Sequence, residues 1–206
     1  MEKWRANNMA FPLKPEKIAA LLGCKNIAAV AANWPLIEGC LAAMPGYCNE
    51  VAIAALATVA IETAYTFKPV HEYGDKAYFI KHYFDNERVR IALGNRSAED
   101  AWKYAGRGFI QLTGAANYST ASNSLGVDLV DDPADPSDDA DPDKACQPAI
   151  AASLFADYFY KRGCYRAARM HEWAKVRKIV NGGTNGLADF LILCAKLEGA
   201  INESNA

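Results

Sequence analysis

The sequence has few of the features that mark a membrane protein, a metalloprotein or a dinucleotide enzyme. Its most apolar stretch, residues 51–61, has Thr58 as its one polar side chain and ends in Glu62. That is about half of the ~20 apolar residues a spanning helix needs, and a carboxylate in lipid is costly, so stable membrane insertion is not expected. There is no CxxC among the six cysteines at 24, 40, 48, 146, 164 and 194. His82 and His171 form no ligand pattern with nearby cysteines or acids, so no metal is expected. No Rossmann glycine fingerprint and no internal repeat is present, and no cofactor is expected. The 22 Lys and Arg are scattered and nearly balanced by 24 Asp and Glu. Without a basic stripe, nucleic acid is not an expected partner. The opening residues, MEKWRANNMAFPLKPEK, carry no apolar core after their charges and no small-residue cleavage signal, so no signal peptide is expected.

What is present suits one compact domain over residues 1–206, since 51% of the residues are hydrophobic and 22% are charged. KPEKIAALLG reads as a short helix, with Pro15 in its first turn and Gly23 at its end. NIAAVAANWPLIEGCLAAM reads as two helical pieces broken near Pro35, because proline lacks an amide donor and clashes with the preceding turn. Asn49 suits the cap of a third helix running from near Glu50 toward Glu62. CQPAIAASLFADYFYKRG, WAKVRKIVNGG and GLADFLILCAKLEGAINES read as later helices, the last two joined through residues 181–186. The expected fold is mainly α, an α+β lysozyme-like arrangement of two lobes around a central substrate cleft. Its smaller, irregular or β-containing lobe is expected over residues 65–120. Cys40 and Cys48 are placed to close a short loop, but the sequence does not choose among pairings, and the cysteines serve equally as small apolar core residues.

Residues 128–143 hold eight Asp and three Pro, the composition of an exposed, self-repelling loop. Asp139, Asp141 and Asp143 reproduce the first alternating positions of a calcium loop. Lys144 stands where its glycine belongs and Ile150 where its final acid belongs, so calcium is not expected.

Glu62, at the edge of an apolar helix, is placed to be partly desolvated and so to hold a proton near neutral pH, as protonation of a glycosidic oxygen requires. Glu72 follows TAYTFKPVH, where Pro69 favours a turn or extended loop that brings it to the other side of a cleft. Two carboxyl groups about 6.5–9.5 Å apart leave room for a water and give inversion in one displacement. Asp75, three residues on, is the alternative second acid. In YAGRGFIQLTGAANY, Gly106, Gly108 and Gly114 let the backbone bend around Arg107, Gln111, Thr113, Asn117 and Tyr118. Those groups suit a neutral sugar's acetamido group, hydroxyls and apolar face. The same stretch also reads as a structural glycine-rich turn.

The order IETA, HEYG, GRGFIQLTGAANY and VNGGTNGL resembles the family 19 chitinase-like glycoside hydrolases, especially their compact phage endolysin branch. The resemblance covers residues 48–197, a catalytic core preceded by a helical part over residues 1–47. It implies Glu62 as general acid and Glu72 as the carboxylate that activates water. It implies Gln111, Thr113, Asn117 and Tyr118 as substrate-binding residues, with Asn181 bordering the same cleft. ETAYTF replaces the glycine-bearing turn usual after the first acid, and the loops are shorter than in plant-type members.

The implied activity is cleavage of β-1,4 bonds in peptidoglycan glycan strands, with chitin or chitin oligomers as the alternative substrate. A noncatalytic protein that holds cell-wall glycan is a further alternative. An endolysin is expected as a monomer in the host cytoplasm before release, then acting on the bacterial wall. Arg107 suits either a substrate carboxylate or a buried salt bridge that fixes the loop, with Glu62 as a candidate partner. Trp102 is the tryptophan best placed to meet substrate, while Trp34 and Trp173 read as packing residues. His71, beside Glu72, reads as an ordinary polar contact.

Overall fold

The computed structural model describes residues 10–131 and 140–204. Backbone contacts divide the chain into two compact units, Met1–Phe67 with Tyr158–Ala206, and Lys68–Asp157.

The first unit is helical. α1 (Pro15–Leu22) has its proline at the first position, where the missing N–H has no partner to lose, and closes on Gly23 at φ 75°. α2 (Ile27–Ala42) is capped by Asn26, whose side chain accepts from the Ala29 N–H at 3.0 Å. Contrary to the expected break, α2 runs through Pro35. Trp34, Ile37 and Leu41 on either side of it are buried. At about 1.5–3 kcal/mol for each such side chain, burial outweighs the ~3 kcal/mol cost of an interior proline. α3 (Asn49–Glu62) begins one residue earlier than expected. Its cap is Cys48, which supplies no side-chain bond, so Asn49 is the first helical residue rather than the cap.

Every residue from 51 to 60 is buried, so α3 has no solvent face. It is the centre of the unit, and α1, α2, α9 (Cys164–Arg169), α10 (Trp173–Asn181) and α11 (Leu187–Ser204) pack on it.

The second unit carries the expected small β element together with short helices. Its helices are α4 (Lys76–Tyr83), α5 (Glu87–Leu93), α6 (Ala98–Lys103) and α7 (Ala115–Leu125), followed by a 3-10 turn over Pro142–Cys146. The first three are started by polar side chains: Asp75, Asn86 and Ser97 each accept a backbone N–H, and Asp100 completes a capping box with Ser97. The β structure is one antiparallel pair, β1 (Val70–His71) against β2 (Arg107–Gly108), with Val70 opposite Gly108 and His71 opposite Arg107. α8 (Pro148–Lys161) starts in this unit and ends in the other.

None of the six cysteines is in a disulfide, and the Cys40–Cys48 loop is not closed. Cys164 and Cys194 are buried, and burial pushes each thiol up to about 12, the behaviour of core residues rather than reactive ones. Among the described residues no single helix is long and apolar enough to cross a membrane. Asp139 lies outside the described residues. Asp141 caps the 3-10 turn by accepting from the Asp143 N–H, and Asp143 pairs with Arg107.

Candidate active site

Glu62 is the last residue of α3, and the chain beyond it makes a Schellman closure. The Tyr65 N–H bonds the Ala60 carbonyl and the Ala64 N–H bonds the Ile61 carbonyl. The left-handed position that glycine usually fills is occupied by Ala64 at φ 47°, followed by Tyr65 at 61° and Phe67 at 55°. ETAYTF thus makes this turn without a glycine. Side chains hold the turn in place. Thr63 Oγ1 donates to the Val59 carbonyl at 2.7 Å and accepts from the Phe67 N–H at 3.0 Å, while Asn33 Nδ2 donates to the Phe67 carbonyl at 2.8 Å. Phe67 itself is fully buried.

A carboxylate at a helix C-terminus faces the negative end of the helix dipole and needs a compensating cation. Arg177 on α10 is that cation. Its Nη1 donates to Glu62 Oε1, and the two side chains are 5% and 16% exposed. Arg177 Nε donates to the Asn185 carbonyl at 2.8 Å, so the same guanidinium ties the 181–186 loop to the acid. Tyr158 is half-buried nearby, and desolvation above all, followed by Cys164 and the Glu62 charge, raises its phenol above the ordinary value. Asn181 is the exposed last residue of α10, with Gly182 closing the helix at φ 70°.

Glu72 follows β1 and extends its pairing, because its N–H donates to the Gly106 carbonyl at 2.8 Å. Both of its carboxyl oxygens are engaged. Oε1 accepts from the Tyr83 hydroxyl at 2.6 Å and Oε2 from the Gly106 N–H at 3.0 Å. Burial, and then the bond to Glu72, push the Tyr83 phenol well above its ordinary value, so it remains a donor. Asn95 fixes Tyr83 in turn, donating to its carbonyl at 3.0 Å and accepting from the Ala115 N–H at 3.0 Å.

Three groups named from the sequence converge here. A Cβ added to Gly106 would lie 2.9 Å from Gln111 Oε1, 2.9 Å from Glu72 Oε2 and 3.2 Å from Thr113 Oγ1. Glycine at 106 is therefore a matter of space. Gln111 sits at φ 53° and donates through Nε2 to the Val70 and Gly108 carbonyls at 3.0 and 3.3 Å. Its amide nitrogen holds β1 and the turn together, and its oxygen faces Gly106. Thr113 Oγ1 donates to the Gln111 carbonyl at 2.8 Å, and Asn117 Nδ2 donates to the Thr113 carbonyl at 2.7 Å.

Tyr118 is not a surface for sugar. It is 0% exposed, and its hydroxyl donates to the Ala105 carbonyl at 3.0 Å and accepts from Arg107 at 3.1 Å. Its aromatic bulk is needed to fill the space beneath the motif. Arg107, itself buried, pairs with the exposed Asp143, Nε to Oδ1 at 2.7 Å, rather than with Glu62, whose partner is Arg177. Trp102 is half-buried with the Lys76 ammonium 3.9 Å from its ring centroid. Asp75 is occupied in capping α4, accepting from the Tyr78 N–H at 2.8 Å. His71 Nδ1 lies 2.9 Å from the Glu72 carbonyl oxygen, a local contact.

Sequence reasoning missed Arg177, Tyr83 and Asn95. For Arg177 one signal was available, a cation among the apolar residues of an amphipathic helix just ahead of the NGG turn. Tyr83 and Asn95 carry no local signal.

No family model matches the chain. Over 98 residues it is 34% identical to a glycosyl hydrolase family 19 domain-containing protein of Haemophilus influenzae, a stretch equal to 48% of this chain and 42% of that protein. The chain thus spans less than half the length of this curated relative. Among solved structures it is similar to chitinase C from Streptomyces griseus, with a TM-score of 0.61 at 20% identity over 92% of this chain and 75% of that one. A mutant of chitinase C gives 0.60 at 19% identity over the same shares. The fold is therefore like that of chitinase C, mainly α-helical with a small β element.

Proposed function

We propose that this chain is a glycoside hydrolase acting on β-1,4-linked glycans that contain N-acetylglucosamine, with Glu62 as general acid and Glu72 as the base that activates water. The observation that carries this reading is the construction around Glu72. A carboxylate held by a phenol and a backbone N–H keeps free lone pairs for a water, and it stands beside the oxygens of Gln111 and Thr113 at a glycine that leaves space. Glu62 complements it. Arg177 engages Oε1, which leaves Oε2 to carry a proton and deliver it to the leaving oxygen.

Chitin-type oligomers are the substrate class favoured by the similarity to chitinase C. Peptidoglycan cleavage rests on the resemblance of the motifs to phage endolysins and is the arm to be tested beside it. The proposed displacement inverts configuration, so a cut β-linkage first releases an α-anomer. The test is to incubate the chain with chitin oligomers and with purified peptidoglycan, measure new reducing ends, and record NMR spectra before mutarotation. New ends on chitin oligomers with α-product are expected. Binding of either polymer with no new ends would establish a noncatalytic glycan-holding protein instead, and initial β-product would end the inverting mechanism.

A further inference from the structure

Asn95 is a buried polar side chain, 5% exposed, whose hydrogen bonds go to the ends of two helices. The last carbonyls of a helix and its first N–H groups have no partner within it. Asn95 serves one of each. Its Nδ2 donates at 3.0 Å to the carbonyl of Tyr83, the last residue of α4, and its Oδ1 accepts at 3.0 Å from the N–H of Ala115, the first residue of α7. A carbonyl on one side and an N–H on the other admit only one orientation of the amide.

The backbone of Asn95 is itself fixed. Its N–H bonds the Arg90 carbonyl across the Gly94 turn that ends α5. A Cβ added to Gly94 would lie 2.6 Å from the Ala116 Cβ, and one added to Gly114 would lie 2.7 Å from the Leu93 carbonyl oxygen. The end of α5 and the start of α7 are thus in direct contact around Asn95. Tyr83, by contrast, stands in the terminal turn of α4, the part of a helix most prone to fray, yet its hydroxyl is the donor to Glu72 Oε1 at 2.6 Å. The Phe79 ring, stacked on it with centroids 6.1 Å apart at 13°, limits its tilt, and Asn95 holds its backbone.

We propose that Asn95 is a positioning residue for the base: it keeps the Tyr83 hydroxyl on Glu72 and ties that bond to the start of α7, the helix that carries Asn117. The proposal rests on the reading of Glu72 as the base and adds a residue that acts on it through Tyr83. The test uses the full chain with Asn95→Asp, which keeps the acceptor for Ala115 but at about pH 8 has no hydrogen for the Tyr83 carbonyl, beside Asn95→Ala, which removes both bonds. Turnover of chitin oligomers should fall at least about tenfold in each, with KM within about twofold of the parent's, because orientation rather than binding is lost. Added to Tyr83→Phe, Asn95→Asp should cost no more than about a further twofold, since the bond it protects is already gone. A second readout needs no activity. With isotopically labelled tyrosine ζ carbons observed by NMR, the Tyr83 resonance, assigned by its loss in Tyr83→Phe, should shift in Glu72→Gln and in the same direction in Asn95→Asp.

Full turnover in both Asn95 variants would overturn the proposal, and so would a loss in Asn95→Asp that simply multiplies with that of Tyr83→Phe, the behaviour of a helix cap with no part in the site. A Tyr83 resonance that moves in Glu72→Gln but not in Asn95→Asp, or that moves in neither, would overturn it as well. A parent chain that cleaves no glycan, with the Tyr83 resonance still shifted by Asn95→Asp, would sink the hydrolytic reading and leave Asn95 as the group that holds Tyr83 on Glu72.

Discussion

Glu62 and Glu72 are ten residues apart in sequence and are held in opposite ways. Glu62 closes a helix with no solvent face and meets a guanidinium. Glu72 follows a two-residue strand and meets neutral donors, a phenol and a backbone N–H. A cation compensates negative charge and fixes one oxygen, which leaves the other oxygen to face its surroundings. Neutral donors orient a carboxylate without cancelling its charge, which suits a group that must draw a proton from water. The same residue type thus stands in two different settings, set by its partners rather than by its own chemistry.

The largest expected effects break this comparison at its ends. Glu62→Gln removes the transferable proton and keeps the shape, so turnover of chitin oligomers should fall by at least about 100-fold while oligomer binding persists. Normal turnover in folded protein would reject Glu62 as the acid. Glu72→Gln should cost about as much, whereas Asp75→Asn should leave turnover near the parent's, because asparagine caps a helix about as well as aspartate. Loss of activity in folded Asp75→Asn, with full activity in Glu72→Gln, would move the base role to Asp75.

A sharper probe exchanges the partners. Arg177→Ala leaves Glu62 without its cation, and breaking a pair this buried typically costs about 3–5 kcal/mol. A lowered melting temperature is expected, recovered in part when Glu62→Gln is added, because the double variant no longer strands a charge. Without that recovery the two side chains are not energetically coupled. Tyr83→Phe is the gentler counterpart at the other acid. Losing one hydrogen bond to a charged group, about 1.5–3 kcal/mol, should slow turnover roughly tenfold or more with the fold intact by circular dichroism. The smallest effect is expected at Gln111→Ala. It removes bonds to the Val70 and Gly108 carbonyls and should lower stability by about 1–2 kcal/mol in chemical denaturation. An unchanged midpoint would show that these bonds do not hold the turn.

Much of this architecture was legible where a helix is long or ends in a strong signal. Pro15 and Gly23 mark α1, and Lys161 to Gly163 mark the end of α8. The helices of the second unit are six to eight residues long before α7, too short for an apolar period to show, and their caps are the only local trace of them. Pro35 misleads because a local rule is overruled by burial that only the folded chain supplies. At the site, Glu72, Gln111 and Thr113 do meet, since one compact motif follows another. Arg177 reaches Glu62 across 115 residues, a pairing that no local pattern contains. Tyr118 looks like a sugar platform because aromatic residues serve both purposes, and only its burial separates them.

The closure beyond Glu62 has a consequence for how this sequence can change. An alanine in the left-handed position costs roughly 1 kcal/mol that glycine would not, and Tyr65 and Phe67 add similar costs. A single Ala64→Gly step would offset part of that cost without touching the acid or its cation. Destabilising changes elsewhere, such as those that reshape a substrate loop, could then be tolerated where they would otherwise unfold the chain. The turn is in that sense a reserve of evolvability, placed one helix end away from the proposed chemistry.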